Sequence, residues 1–267
     1  MIFKSAYLPD QEFESREALQ RAIKDNFSTI SDAKKAEIKM AEAVEICPGT
    51  KANDAVKGLS MDAGFVYPVI NTTKYMDSHN DVHLDGIWDR SLKDVQGKIY
   101  YVANHKIEVG QVIAYPQDVK VMVVEMKWKD LGYKIEGSTQ ALVFKVADSK
   151  IRMKEARDIV SEKINIQHSV RMQYVKFTLA IDSTEADMKA EKANWDKHIS
   201  KVANKDRAME SGFFFAIEEA KIVKEGSMVL HGSNDVTPML LPKQESTGVT
   251  QIDPPAGNQK QKWKSIY

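Results

Sequence analysis

Three residue types that together can attack a carbonyl carbon lie at separate points of this chain. Ser169 stands in "INIQHSVRMQYVKF" (164–177) and His105 in "YVANHKIEVGQVIAYP" (101–116). Glu218, Glu219 and Glu225 lie in "GFFFAIEEAKIVKEGSMVLHGS" (212–233). A serine hydroxyl is a weak nucleophile until an imidazole takes its proton, and the imidazole needs a third group to orient it. Geometry defines such a set, and chain order does not. Spacing alone therefore leaves the plain reading open, in which Ser169 is a hydroxyl at the head of a strand. His168 is set aside as the base, because neighbours on a strand point to opposite faces.

A second cluster is "DSHNDVH", where Asp77, His79, Asp81 and His83 fall within seven residues. They suggest a metal-dependent hydrolase built on His79, Asp81 and His83. Two histidines four apart share a metal well on a helix. This segment reads as a loop leaving a strand, and extended alternation would hold the two rings about 13 Å apart. The phosphate-binding patterns GxxxxGK and GxGxxG are absent, as is the GxSxG of α/β-hydrolases. No cofactor is expected.

The elements that must position these groups follow from composition and pattern. The chain has 267 residues, 43% hydrophobic and 28% charged, which suits a soluble globular protein. Lys plus Arg and Asp plus Glu are 38 each, and this balance argues against a nucleic-acid surface. No run approaches the roughly 20 apolar residues of a membrane span. Cys47 is the single cysteine, so there is no intrachain disulfide, and a reducing compartment fits.

Residues 10–45 read as helical, with Leu19, Ile23 and Phe27 forming one apolar stripe and a break near Ser31. "CPGT" (47–50) ends that segment. From 59 to 146 come short strand-like runs broken by Gly, Pro, Asn and Asp. "DSKIRMKEARDIVSEK" (148–163) reads as a helix capped by Asp148 or Ser149, and 164–182 as a strand. A charged helical insertion at 183–211 precedes a last strand, and 241–267 is a polar tail expected to be flexible. The expected class is α+β. A mostly antiparallel barrel or curved sheet is flanked by helices, because the strands from 65 to 146 leave no room for crossover helices. The domains are then a helical arm (1–50), a main domain (51–240) and the tail.

Four blocks in order carry a family resemblance. They are "NTTKYMDSHNDVHLDGIWDRSL" (71–92), "NHKIEVGQVIA" (104–114), "QHSVRMQYVK" (167–176) and "IEEAKIVKEGSMVLHGSNDVTP" (217–238). Together, over residues 60–240, they resemble the prohead (capsid maturation) serine proteases of tailed bacteriophages, relatives in fold of the herpesvirus assemblins. The resemblance implies an assemblin-like antiparallel barrel ringed by helices. It implies a serine endopeptidase with Ser169 as nucleophile, His105 as base and Glu219 as third member, with Glu218 and Glu225 as the other choices. Implied partners are the major capsid protein and the scaffold protein, both as substrates, and the chain itself by self-cleavage or self-association as a dimer. No nucleic acid or membrane is implied. The implied place is the host cytoplasm, inside the assembling prohead. The arm becomes a candidate pro-segment. One departure is Arg171, where relatives commonly carry a small residue. It motivates the alternative of a catalytically weak relative that acts as a scaffold or assembly protein.

Overall fold

The computed structural model describes residues 2–37 and 59–242. Cys47, the "CPGT" stop, the end of the arm and the polar tail lie outside the described residues. Helix α1 (Arg16–Asp25) starts at Ser15, whose Oγ accepts the Ala18 N–H at 3.1 Å, and α2 (Phe27–Ala36) follows directly. The break between them falls at Asn26 rather than near Ser31. The Asn26 side-chain amide and backbone N–H both donate to the Ala22 carbonyl, which closes α1.

Next come β1 (Phe65–Thr72), β2 (Asp81–His83), α3 (Asp89–Val95), β3 (Tyr100–Ala103), β4 (Val112–Ala114), β5 (Val119–Lys127) and β6 (Ser138–Ala147). Helix α4 (Lys154–Ser161) leads to β7 (Gln167–Ile181), then α5 (Lys189–His198), α6 (Lys205–Ser211), β8 (Phe213–Val229) and β9 (Met239–Leu240). The fold is α+β with six helices among the described residues. Helix α3 interrupts the segment that reads as strands alone. Helix α4 begins six residues later than Asp148, because 148–150 forms a single 3₁₀ turn and Ile151 drops into the core.

The strands make two sheets, and no closed barrel is found among the described residues. One sheet is antiparallel, in the order β5-β6-β1-β9. The other is mixed and centres on β8. On one edge β8 pairs with β7 along nearly its whole length, antiparallel. On its other edge β2 pairs parallel with Phe215–Ile217 and β3 parallel with Glu225–Met228, and β4 follows β3. These parallel pairs need no crossover helix of their own, because β2 and β3 meet a strand more than 100 residues further along the chain. The barrel expectation counted strands without their partners; among the described residues β5 and β9 end one sheet, and β4 and β7 lie at the margins of the other.

The sheets pack face to face around Ile70, Leu142, Phe144, Tyr101, Val170, Met172 and Ile217. Their closest approach is at Gly226. A Cβ there would sit 2.6 Å from the Phe144 ring and 2.9 Å from Ile70, so only glycine fits. The insertion at 183–211 is not a loose appendage. Trp195, Val202 and Ala208 bury against Phe214 in a separate cluster.

The arm is also part of the core. Leu19, Ile23 and Ile30 are buried with residues of both sheets. Lys34 reaches the interior, where its Nζ lies 2.6 Å from Asp81 Oδ1 and 2.7 Å from Tyr7 Oη, with both charged side chains almost fully buried. Nζ also sits over the Phe215 ring, 4.3 Å from its centre. Removing one member of a buried pair leaves the other charge uncompensated. Lys34→Met is therefore expected to lower unfolding free energy by about 3–5 kcal/mol, measured by chemical denaturation. The double variant with Asp81→Asn should recover part of that loss.

Candidate active site

Strand β8 assembles the site. Across the β7–β8 pair Ser169 stands directly opposite Ser227, which puts both side chains on one face, Cβ atoms about 5 Å apart. Toward Met172 and Ile222 the register slips. Three residues of β8, Val223–Glu225, oppose Arg171 alone, and Lys224 takes a left-handed φ of 66°. Such bulges re-aim side chains beside functional sites. Glu225 is fully buried, and its Oε1 accepts from His105 Nδ1 at 2.7 Å.

His105 comes from the turn that ends β3. Asn104 and His105 both have left-handed backbones, φ 50° and 58°, and the turn closes with Lys106 N–H donating to the Ala103 carbonyl at 3.0 Å. Asparagine tolerates that region, whereas a histidine there is uncommon. The His105 side chain is 8% exposed. Its Nδ1 carries the proton given to Glu225, so in the neutral ring Nε2 is a bare acceptor. Nε2 is buried and has no hydrogen-bond partner among the described residues. The Ser169 hydroxyl makes no hydrogen bond there either. Ser169 and His105 thus share no hydrogen bond among the described residues.

Glu219 is not the acid on His105. It lies six residues before Glu225, up to about 20 Å away along an extended strand, and pairs with the exposed Arg90 at 3.3 Å. Glu218 pairs with Lys176. Which glutamate meets the histidine is decided by the parallel register of β3 on β8, Tyr100 opposite Glu225, and sequence does not display that register. Glu225, one of the choices left open, was also marked locally. In Glu225-Gly226-Ser227 two polar side chains flank a glycine, so they share a face while the glycine turns to the crowded core.

His168 is structural. It faces the core, where Nδ1–H donates to the Thr237 carbonyl at 3.0 Å and Nε2 accepts from the Tyr101 hydroxyl at 2.9 Å. Its amide is 3.1 Å from Thr237 Oγ1, which donates to the His168 carbonyl at 2.7 Å. The strand next to Ser169 is thereby pinned to the 233–238 loop. Burial pushes the His168 pKa down from 6.5 to about 4, against the opposing effect of the Thr237 bond. A depressed histidine contributes stability above its unfolded pKa and loses it as pH falls toward the folded one. Stability should fall by about 3 kcal/mol between pH 6.5 and pH 4 from this group, at roughly 1.4 kcal/mol per pKa unit. Denaturation curves of wild type and His168→Gln across that range should differ in slope by that amount.

The "DSHNDVH" cluster does other work. Asp77 Oδ1 accepts the amides of His79 and Asp81, which folds the loop. Asp81 holds Lys34 and accepts from the Tyr174 hydroxyl at 2.7 Å. Burial first, and Asp81 second, drive the Tyr174 phenol pKa far up, so it stays a donor. His83 spans Asn71 and the Tyr174 hydroxyl, 3.0 Å from each. Among the described residues no three His, Cys, Asp or Glu side chains are grouped as metal ligands. A small cavity lies between this network and β7, lined by Asn71, Asp77, Tyr174 and Asn234 and also by Ser169, Ile70 and Met172.

No family model matches this chain, and the searches of curated proteins and of solved structures returned no match.

Proposed function

We propose that this chain is a serine endopeptidase of the prohead-maturation kind, with Ser169 as nucleophile, His105 as general base and Glu225 as the acid that orients the base. The buried His105–Glu225 contact of 2.7 Å, on the sheet face that carries Ser169, is the observation that supports it most. His105 Nε2 takes the Ser169 proton as Oγ attacks a peptide carbonyl. Glu225 fixes the tautomer and stabilises the imidazolium that forms. The same Nε2 then protonates the leaving amine, and water hydrolyses the acyl-enzyme. Arg171 adds a cation on the same strand, two residues from Ser169, with its Nε buried and unpartnered among the described residues. It is a candidate to stabilise the oxyanion.

The substrates in this reading are the scaffold protein, the N-terminal part of the major capsid protein and the chain itself, inside a prohead assembled in host cytoplasm. An assemblin-like barrel belongs to the same proposal. The test is incubation of the purified chain, alone and with its capsid and scaffold substrates, followed by intact-mass measurement. Discrete fragments that form with wild type and not with Ser169→Ala support the reading. Fragments that form equally with both would overturn it. Absence of any processing would favour the non-catalytic assembly protein instead.

A further inference from the structure

Ser227 stands between nucleophile and base without doing chemistry of its own. It is fully buried, it faces Ser169 across the strand pair, and its Oγ accepts the His105 backbone N–H at 2.8 Å. Its hydroxyl proton goes to the Val102 carbonyl at 3.2 Å. That donation removes Ser227 as a rival nucleophile and orients its lone pairs toward the turn. The turn needs such a hold. Its flanking amides find backbone partners, Asn104 N–H on the Met228 carbonyl and Lys106 N–H on the Ala103 carbonyl. The His105 amide has Ser227 Oγ, at a residue held in the left-handed region where a β-carbon is disfavoured.

We infer that Ser227 is the positioning residue of this site: its hydroxyl holds the left-handed His105 turn so that Nδ1 meets Glu225 and Nε2 faces Ser169. The inference rests on the peptidase reading for its kinetic consequence, but not for its structural one. Without the hydroxyl, the part-buried His105 amide loses its side-chain partner. The backbone is then free to leave the left-handed region, and the ring swings off Glu225 and away from the nucleophile. A displacement of about 1 Å is enough to cost roughly 100-fold in rate.

The test compares wild type, Ser227→Ala and Ser227→Thr, the last retaining the hydroxyl. The first readout is the low-field proton resonance of His105 Nδ1–H, which needs no activity and is assigned with Glu225→Gln. It should be present in wild type and Ser227→Thr and lost in Ser227→Ala. The second is phosphonylation of Ser169 by an alkyl fluorophosphonate. Its limiting rate should fall about 100-fold in Ser227→Ala at unchanged half-saturating probe concentration, and recover in Ser227→Thr. If Ser227→Ala does not fold, Ser227→Cys replaces it, since a thiol is a weak acceptor of similar shape. An Nδ1–H resonance unchanged in Ser227→Ala or Ser227→Cys overturns the inference. A resonance lost on substitution, in a wild-type chain that no probe labels, upholds the positioning role and sinks the peptidase reading.

Discussion

Ser169→Ala is expected to lower the rate of fragment formation at least about 10⁴-fold while leaving the melting temperature nearly unchanged. Losing the nucleophile removes the covalent path altogether, and what remains is the modest acceleration from binding and electrostatics. The fold should not notice. Ser169 Oγ makes no hydrogen bond among the described residues, so its loss leaves no partner unsatisfied. Alanine is also accepted at a strand position whose inward neighbours, His168 and Val170, do the packing. Time courses of intact mass measure the rate, and thermal denaturation checks the fold. A variant that cleaves at the wild-type rate places the nucleophile elsewhere.

The second large effect separates the glutamates. Glu225→Gln should lower the turnover rate about 10³- to 10⁴-fold, because an amide can present N–H to Nδ1 and hold the wrong tautomer. Glu219→Gln should change it by no more than about two-fold, since Glu219 only meets an exposed arginine at the surface. Both substitutions keep side-chain size, so the contrast reads charge and tautomer rather than packing. Equal losses in the two variants would contradict the assignment of Glu225. A larger loss in Glu219→Gln would restore the acid that the family resemblance favours.

That contrast shows where sequence stops being sufficient. Ser169 and His105 were legible because each sits where a local pattern changes, one at the head of a long apolar strand and one just past a short one. The structure brings both against Ser227 of β8. Among the three glutamates left open, the one that meets His105 was not legible, because that contact depends on a bulge at Val223–Glu225 and on β3 pairing across more than 100 residues. Alternation along one strand carries neither fact. The role of the "DSHNDVH" residues was hidden for a related reason. Their likeness to metal ligands is local, whereas the partner that neutralises Asp81 is Lys34, on a helix of the arm. The arm itself was half legible. The spacing of Leu19 and Ile23 marked its buried face, but a lysine does not announce that it will be buried. Its docking shows in the structure as an ion pair beneath Tyr7 and Phe215. The two-sheet arrangement was hidden likewise, since strand count is a local property and sheet closure is not.

The most direct measurement of the central claim is peptide mapping of the wild-type chain after treatment with an alkyl fluorophosphonate. Such a probe phosphonylates a serine only where an imidazole activates it. The expected result is one adduct, on Ser169, that disappears in His105→Ala and is strongly slowed in Glu225→Gln. A folded chain that takes no adduct, or takes it on another residue such as Ser227, would contradict the claim.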